Sequence, residues 1–546
     1  MTVEAPRAAP SHDRAAFVLF ARLRRVLRER APWLLVLVAS IAFRLPPLIN
    51  AEGSNSDSAV VGLQAGHLLR GDWSPFLWGS GYQTSVDSAI AAMVFLFTGP
   101  SPAALMASSL AGHILLTWLV FDALRRVLPG PGARPEWTAA LLVLLLVFVP
   151  DPVHTYVLYP PRQASLTLVF LAFWLTHGAS ASGRPRLRFG LGGAVALLAV
   201  YADPYALLFL PAQALLGVLA ALDGAPLPPS RPEILRRLGA FAAGAVAGVV
   251  PYAVLRHLPQ ASHGQTALSL DVVRHNLDLL LDPCGPWLLS TKVFAAVHMT
   301  DYQPWQPGPP FHALQIVAAA ILVVLLASGA ALFFATSLPW ELRRLALAGA
   351  FMVPVTVGGF LVSPMVMDHF SSRYLAAIVL VAPFCLAPAA ALLPARRFGL
   401  ALAPYLVSAA VSGWVSYRPF TLAVHPNLAV DERLGVALRE RGIRYAVADY
   451  WASYRLTFAW GENPIVVPTN QVEDRFAPYR AAFEEEPIVA YVYDAYRSRE
   501  SLPEIEAKIR RGETGYEPGY ARFEVGNFTV MVLRRRPPVE RLAATE

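Results

Sequence analysis

Eleven apolar stretches, joined by short connections that carry arginine, dominate residues 33–415 and limit what this chain can fold into. Crossing about 30 Å of hydrocarbon takes about 20 apolar residues at about 1.5 Å of rise each, and within lipid every backbone amide and carbonyl must find its partner inside the segment. Helices are therefore expected near 33–50, 103–124, 137–150, 163–179, 189–203, 205–222, 238–256, 313–336, 345–363, 374–393 and 398–415. Of the 546 residues, 55% are hydrophobic and 15% charged, where a soluble domain carries about a quarter charged. The expected fold class is an α-helical polytopic membrane protein of about 11 transmembrane helices.

The stretch 84–98, TSVDSAIAAMVFLFT, is apolar but short and carries Asp87. If it crossed, every later connection would change sides, and charge decides against that. Without the crossing, the side of the N-terminus holds Arg7, Arg14, Arg22, Arg24, Arg25, Arg28 and Arg30. It also holds Arg125, Arg126, Arg134, Arg184, Arg186, Arg188, Arg231, Arg236, Arg237, Arg343, Arg344, Arg396 and Arg397, twenty in all. The loops on the opposite side carry five: Arg70, Arg162, Arg274, Lys292 and Arg373. Basic connections stay cytoplasmic, so 84–98 is expected to lie on or dip into the outer surface. The basic segment 1–32 followed by Trp33–Phe43 has the start of a signal peptide, but the spans that follow make it a retained signal-anchor.

The formal charge of +7 is scattered in twos and threes between apolar runs, which speaks for topology and against a nucleic-acid partner. Cys284 and Cys385 stand far apart in different kinds of segment, so neither a disulfide framework nor a thiolate metal site is expected.

Domain organisation follows from these sides. Residues 33–415 form the membrane domain, with outer loops 51–102, 151–162, 257–312 and 364–373, and residues 416–546 form an extracytoplasmic tail. In the tail, DERLGVALRERG and SLPEIEAKIRRG have helical periodicity, while IRYAVADY, NPIVVP and EPIVAYVYDA read as strands. YARFEVGNFTVMVLRR reads as a hairpin turning at Gly526-Asn527, completing a small α/β domain.

Carboxylates at a membrane boundary are costly, about 2.5–3.5 kcal/mol at mid-bilayer and less at the interface, and are candidates for function. Asp57, Asp72, Asp87, Asp151, Asp203 and Asp368 all fall at the outer boundary. A one-sided ring suits a reaction at a surface, since a conducting path needs polar groups through the membrane's depth. No inverted repeat of broken helices is present to support a transporter, which is the rival reading. A catalytically inactive envelope-assembly scaffold is a third.

The stretch NSDSAVVGLQAGHLLRGDWSPFLWGSGYQTSVDSAIAAMVFLFTGPSPAAL resembles the first-loop signature of the GT-C superfamily of integral-membrane glycosyltransferases. That group includes protein O-mannosyltransferases, the aminoarabinose transferase acting on lipid A, and many bacterial relatives. Its pattern is an acid shortly after the first span, a small-residue helix, a Gly-Asp turn, an aromatic-Gly-x-Gly-Tyr step and a juxtamembrane helix. The resemblance covers residues 30–220 well and the later spans loosely. It implies transfer of a sugar from a polyprenyl-phosphate carrier, with inverting stereochemistry, and places Asp57 at the reacting centre. Many members pair this acid with a second one, a position suited to a divalent metal. Here the neighbours are Ser56 and Ser58, so no metal ligand set is assigned.

The residues support the same chemistry independently. A lipid phosphate is already a competent leaving group, so the barrier lies in activating the acceptor hydroxyl, and a carboxylate acting as general base contributes about 10² to 10⁴ in rate. Asp57 is the expected base; its competing reading is the N-cap of the helix that follows. The second carboxylate is Asp151 or Asp203. Pro150-Asp151-Pro152 also reads as a span-ending turn, and Asp203 before Pro204 as a cap. Asp87 on the juxtamembrane helix would orient the donor or a metal.

For the donor phosphate, arginine offers a planar fork, and the outer arginines Arg162 (YPPRQ) and Arg373 (HFSSRYL) are the expected grips, with snorkelling to head groups as the plainer alternative. Tyr82, with Trp73, Phe76 and Trp78, would stack on the donor's sugar or form an interfacial aromatic belt. His257, His263, His275 and His298 lack metal-ligand spacing. The expectation is a bacterial plasma-membrane glycosyltransferase whose partners are the bilayer, a polyprenyl-phosphate-sugar and a glycan, lipid or protein acceptor.

Overall fold

The computed structural model describes residues 30–45, 48–49, 51, 55–129, 135–150, 160–223, 229–255, 257, 269–298, 301–418 and 428–536. All eleven predicted spans fall on helices. The first, α1, covers 30–45. After α2 (Ser56–Leu69) and α3 (Val86–Thr98) come α4 (Pro102–Val127), α5 (Pro135–Val147), α6 (Gln163–His177) and α7 (Pro185–Ala202). The 3₁₀ turn Pro204–Phe209 runs into α8 (Leu210–Ala221), followed by α9 (Arg231–Leu255), the juxtamembrane α10 (Leu270–Leu279), α11 (Pro309–Ala331), α12 (Trp340–Val362), α13 (Ala376–Leu392) and α14 (Ala395–Arg418). Among the described residues, seven helical segments are long and apolar enough to cross a membrane on their own. The chain is a multi-pass membrane protein.

Helix α13 is buried on every side and forms the axis of the bundle, the pattern of a helix that is apolar all round. The α7–α9 pair is packed through small residues: a Cβ on Gly244 would sit 1.9 Å from the Gly190 carbonyl oxygen, so only glycine allows this approach. One end of the bundle gathers arginines around acids. Arg344, 1% exposed at its side chain, lies 2.6 Å from Asp223 and donates to the His177 carbonyl at 2.7 Å. Arg186 meets Glu233 at 2.6 Å. Because α6 runs from Gln163 to His177, its other end lies at the opposite rim, where Asp87 and Asp203 are found.

Helix α3 has 13 residues, about 20 Å at helical rise, too short for the hydrocarbon. It buries Asp87, Ser88, Ala91, Ala92 and Phe95 and exposes Met93, Leu96 and Phe97, the last at 90%. That division is the one expected of a helix lying along the membrane surface.

Beyond the bundle, α15 (Leu428–Glu440), α16 (Tyr450–Ala459), α17 (Ala477–Glu485) and α18 (Leu502–Arg510) accompany a five-stranded sheet in the order β4-β3-β5-β7-β6. Its strands are β3 (Tyr445–Ala448), β4 (Ile465–Pro468), β5 (Ile488–Asp494), β6 (Tyr516–Val525) and β7 (Phe528–Arg535); β1 (Phe294–His298) and β2 (Asp301–Pro304) form a separate hairpin. β3 lies parallel to β4 and β5, and the β6–β7 hairpin closes at Val525 opposite Phe528, turning at Gly526-Asn527 as expected. The predicted helices and strands of the tail are present; α16 and α17 were not predicted. Alternation along β3 sends Ala446 and Ala448 to α15 and Val447 to the other face.

That other face does not meet water. Val447, Tyr450, Tyr454, Phe458 and Tyr491 share one apolar core with Ala59, Leu63, Trp78, Phe95 and Leu105 from α2, the loop after it, α3 and α4. The contact is close: a Cβ on Gly62 would fall 2.4 Å from the Phe458 ring. The tail and the first long loop are therefore one packing unit, a relation that the composition change near residue 416 conceals.

Candidate functional site

Helix α2 begins at Ser56, capped by Asn55, whose side chain accepts from the Ser58 amide at 3.0 Å. The alternative that Asp57 is itself the cap is thereby corrected. Asn caps as well as Asp does, and with the helix starting this early Asp57 lies in its first turn, where a carboxylate is also favoured by the helix dipole. Its Oδ1 accepts a short hydrogen bond from the Tyr450 hydroxyl and lies 3.7 Å from the Arg475 guanidinium. Its Oδ2 has no hydrogen-bond partner among the described residues, and the side chain is 43% exposed.

The partners come from the tail. Arg475 donates to the Tyr450 hydroxyl at 3.1 Å and to the Gly79 carbonyl at 3.0 Å, and its backbone amide donates to the Tyr454 hydroxyl at 2.6 Å. Burial and the adjacent Asp57 push the Tyr450 hydroxyl well above its ordinary range, against the opposing pull of Arg475, so it stays a donor. Burial alone would lower the Arg475 guanidinium; Tyr450 and Asp57, with Tyr82 adding to them, hold it above its usual value. Tyr82 is 47% exposed beside this group.

A second cluster is built by the ends of α6 and α7. Asp203 caps the turn before α8, accepting from the Tyr205 amide at 2.8 Å, as the plainer reading expected. It also takes Gln83 Nε2 at 2.7 Å and pairs with Arg162 Nε at 3.2 Å. Asp87 accepts from the Ala164 amide at 3.1 Å. Burial, only partly offset by that bond and by Arg162 and reinforced by Asp203, raises its carboxyl to about 8, so it is neutral at physiological pH. The clusters are linked through Ser58, whose hydroxyl donates to the Pro160 carbonyl at 3.2 Å, two residues before Arg162.

The raised Asp87 carboxyl carries a pH signature. Between the unfolded value of 3.8 and about 8 the unfolded chain gives up a proton that the native chain retains, so this group's contribution to stability falls as pH rises through that window. Asp87→Asn keeps an acceptor for Ala164 and has no proton to lose. Its melting temperature should exceed the parent's by a margin that widens from pH 4 to pH 8 and then levels; a margin independent of pH would refute the shift.

The other predicted residues are distributed as follows. Asp151 lies outside the described residues. Arg373 is on the 3₁₀ segment His369–Leu375, with its guanidinium 5.2 Å from the Tyr374 ring. That segment touches the second cluster through Tyr205, whose hydroxyl donates to the Tyr374 carbonyl at 3.3 Å. Trp78 and Phe76 are buried, and Trp78, stacking on Phe476 at 4.0 Å, serves the docking of the tail; Trp73 and Tyr82 are exposed. Among the described residues no three His, Cys, Asp or Glu side chains are placed to hold a metal. Among the described residues, Asp203 is already held by Arg162, Gln83 and Tyr205, and Asp57 has serines beside it, so these donors do not form a divalent-ion site and no step is routed through one.

Sequence reasoning missed Tyr450 and Arg475, which lie 393 and 418 positions after Asp57 and carry no local signal. It also passed over Arg44, which is 0% exposed near the end of α1 with none of its guanidinium nitrogens hydrogen-bonded among the described residues. The signal there was a charge ten residues into an apolar run.

No family model and no curated protein sequence matches this chain. Solved structures do. ArnT from Cupriavidus metallidurans bound to undecaprenyl phosphate aligns over 92% of this chain and 98% of its own, with a TM-score of 0.55 at 11% identity. The fold is that of the GT-C glycosyltransferases. The apo form of the same ArnT gives a TM-score of 0.51 at 12% identity over 94% of this chain and 98% of its own. The mycobacterial arabinofuranosyltransferase AftD gives 0.50 at 13% identity, over 94% of this chain and 40% of its own. Asp57, the first-loop acid expected from sequence, lies on the helix that the tail covers.

Proposed function

We propose that this protein transfers a sugar from a polyprenyl-phosphate carrier to an acceptor hydroxyl at the outer face of a bacterial plasma membrane. The observation that carries the reading is the state of Asp57: one oxygen is held by Tyr450 and Arg475, the other accepts from no donor among the described residues, and the side chain is 43% exposed. A fully satisfied carboxylate would be structural; a half-satisfied one on a rigid helix is placed to take a proton. In the reaction, Asp57 Oδ2 accepts the acceptor's hydroxyl proton as the acceptor oxygen attacks the anomeric carbon. The bond from that carbon to the phosphate oxygen breaks, and the polyprenyl phosphate leaves with the electron pair.

The leaving phosphate needs cations. Arg162, Arg373 and Arg44 are assigned to it, with Asp203 and Gln83 orienting Arg162 and the turn around it. Tyr82, exposed beside Arg475, is assigned to the sugar. The neutral Asp87 adds no second negative charge next to an approaching phosphate.

Mass spectrometry of lipid-linked sugars and envelope glycans with and without the protein tests the reading: loss should accumulate one polyprenyl-phosphate-sugar and remove one glycan modification. Unchanged profiles in both pools would end it. Sidedness has its own test, since reporters fused after residues 130 and 430 should report opposite compartments, and the same compartment for both would overturn the outer-face assignment.

A further inference from the structure

The tail contains a second cavity that the transfer reaction does not use. Between α17, α18 and the sheet lies a cleft of about 370 Å³, within the range of small-molecule sites of about 300–1,000 Å³. We infer that this cleft binds a neutral saccharide, the remote end of a glycan acceptor; the acceptor role rests on the proposed transfer reaction, the saccharide chemistry does not.

The chemistry of the walls selects the ligand. Three cations and three carboxylates line the cleft, so it has no net charge. Every cation is already committed: Lys508 to Glu500 at 2.6 Å, Arg480 to Asp474 at 2.8 and 2.9 Å, and Arg535 to the carbonyls of Glu486 and Phe483 at 3.2 and 2.9 Å. A phosphate or other strong anion would find no free donor fork, and a lipid chain would find a charged rim. A polyol, whose hydroxyls both donate and accept, matches what remains. The rings of Tyr491 and Tyr516 offer apolar faces, the carboxylates of Glu484 and Glu500 accept, and the buried Thr514 hydroxyl has no hydrogen-bond partner among the described residues.

Placement supports the acceptor role. Asp449 pairs with Arg499 at 2.9 Å. Asp449 precedes Tyr450, which touches Asp57, and Arg499 precedes Glu500, which lines the cleft, so a single ion pair joins the backbone of the two places. Both lie on the sheet face that covers α2.

The test is saturation-transfer NMR on the full-length protein in detergent with maltotetraose, cellotetraose and mannotetraose as probes. At least one should bind, and Thr514→Val and Glu500→Gln should each weaken it about tenfold, the effect of one lost hydrogen bond, whereas Asp57→Asn should leave it unchanged. Absence of binding by all three overturns the inference, as does binding that neither cleft variant weakens, that Asp57→Asn removes, or that inorganic phosphate displaces. Should binding behave as expected while no sugar transfer is found, the cleft stands and the reaction assigned to Asp57 falls.

Discussion

Asp57→Asn should lower sugar transfer by about 10² to 10⁴ while the protein remains folded and membrane-inserted. Asparagine keeps an oxygen to accept from Tyr450, and Asn55, which caps α2, is untouched, so the packing of helix against tail is preserved. The variant removes only the capacity of the free oxygen to carry a proton away. Transfer from a polyprenyl-phosphate-sugar in washed membranes, read beside a gel-filtration profile, separates the outcomes. A well-folded Asp57→Asn protein with parental transfer rates would remove Asp57 from the mechanism.

The second large effect is on stability. Arg455 and Asp431 are 1% and 6% exposed at their side chains and meet through two nitrogens at 2.5 and 3.3 Å. Arg455→Met leaves the carboxylate buried without its cation, and breaking a pair in this way costs about 3–5 kcal/mol. Because α16 also carries Tyr450, and the Ser56 hydroxyl donates to the Tyr450 carbonyl, loosening this helix should reduce transfer as well as the denaturation midpoint. Combining Arg455→Met with Asp431→Leu should recover most of the stability, since the buried charge is then gone. A single variant that melts with the parent would show that the pair contributes nothing.

Legibility differed by the range of the interaction. Apolar runs and the arginine bias made every predicted span recoverable, because lipid imposes its requirement on each segment separately. The stretch 84–98 was legible as a short helix, and its burial divides into a packed and an exposed side. Asp203, Arg162 and Asp87 were each recognisable at span ends, but their convergence was not, since nothing local in α3, α6 or α7 encodes the crossing that brings them together. Asn55 was overlooked as the cap because Asp57 is an equally good capping residue two positions on. DYWASYRLTFAW forms α16, whose aromatic face packs on α2, a contact that only tertiary packing specifies.

The union of Asp57 with Tyr450 and Arg475 has a temporal side. Asp57 leaves the ribosome early, and its two partners follow only after the apolar helices of 33–415 have been synthesised. A chain halted before residue 450 would carry that carboxylate without either partner, and under the proposed reaction such truncated products would be inert without any dedicated inhibitor.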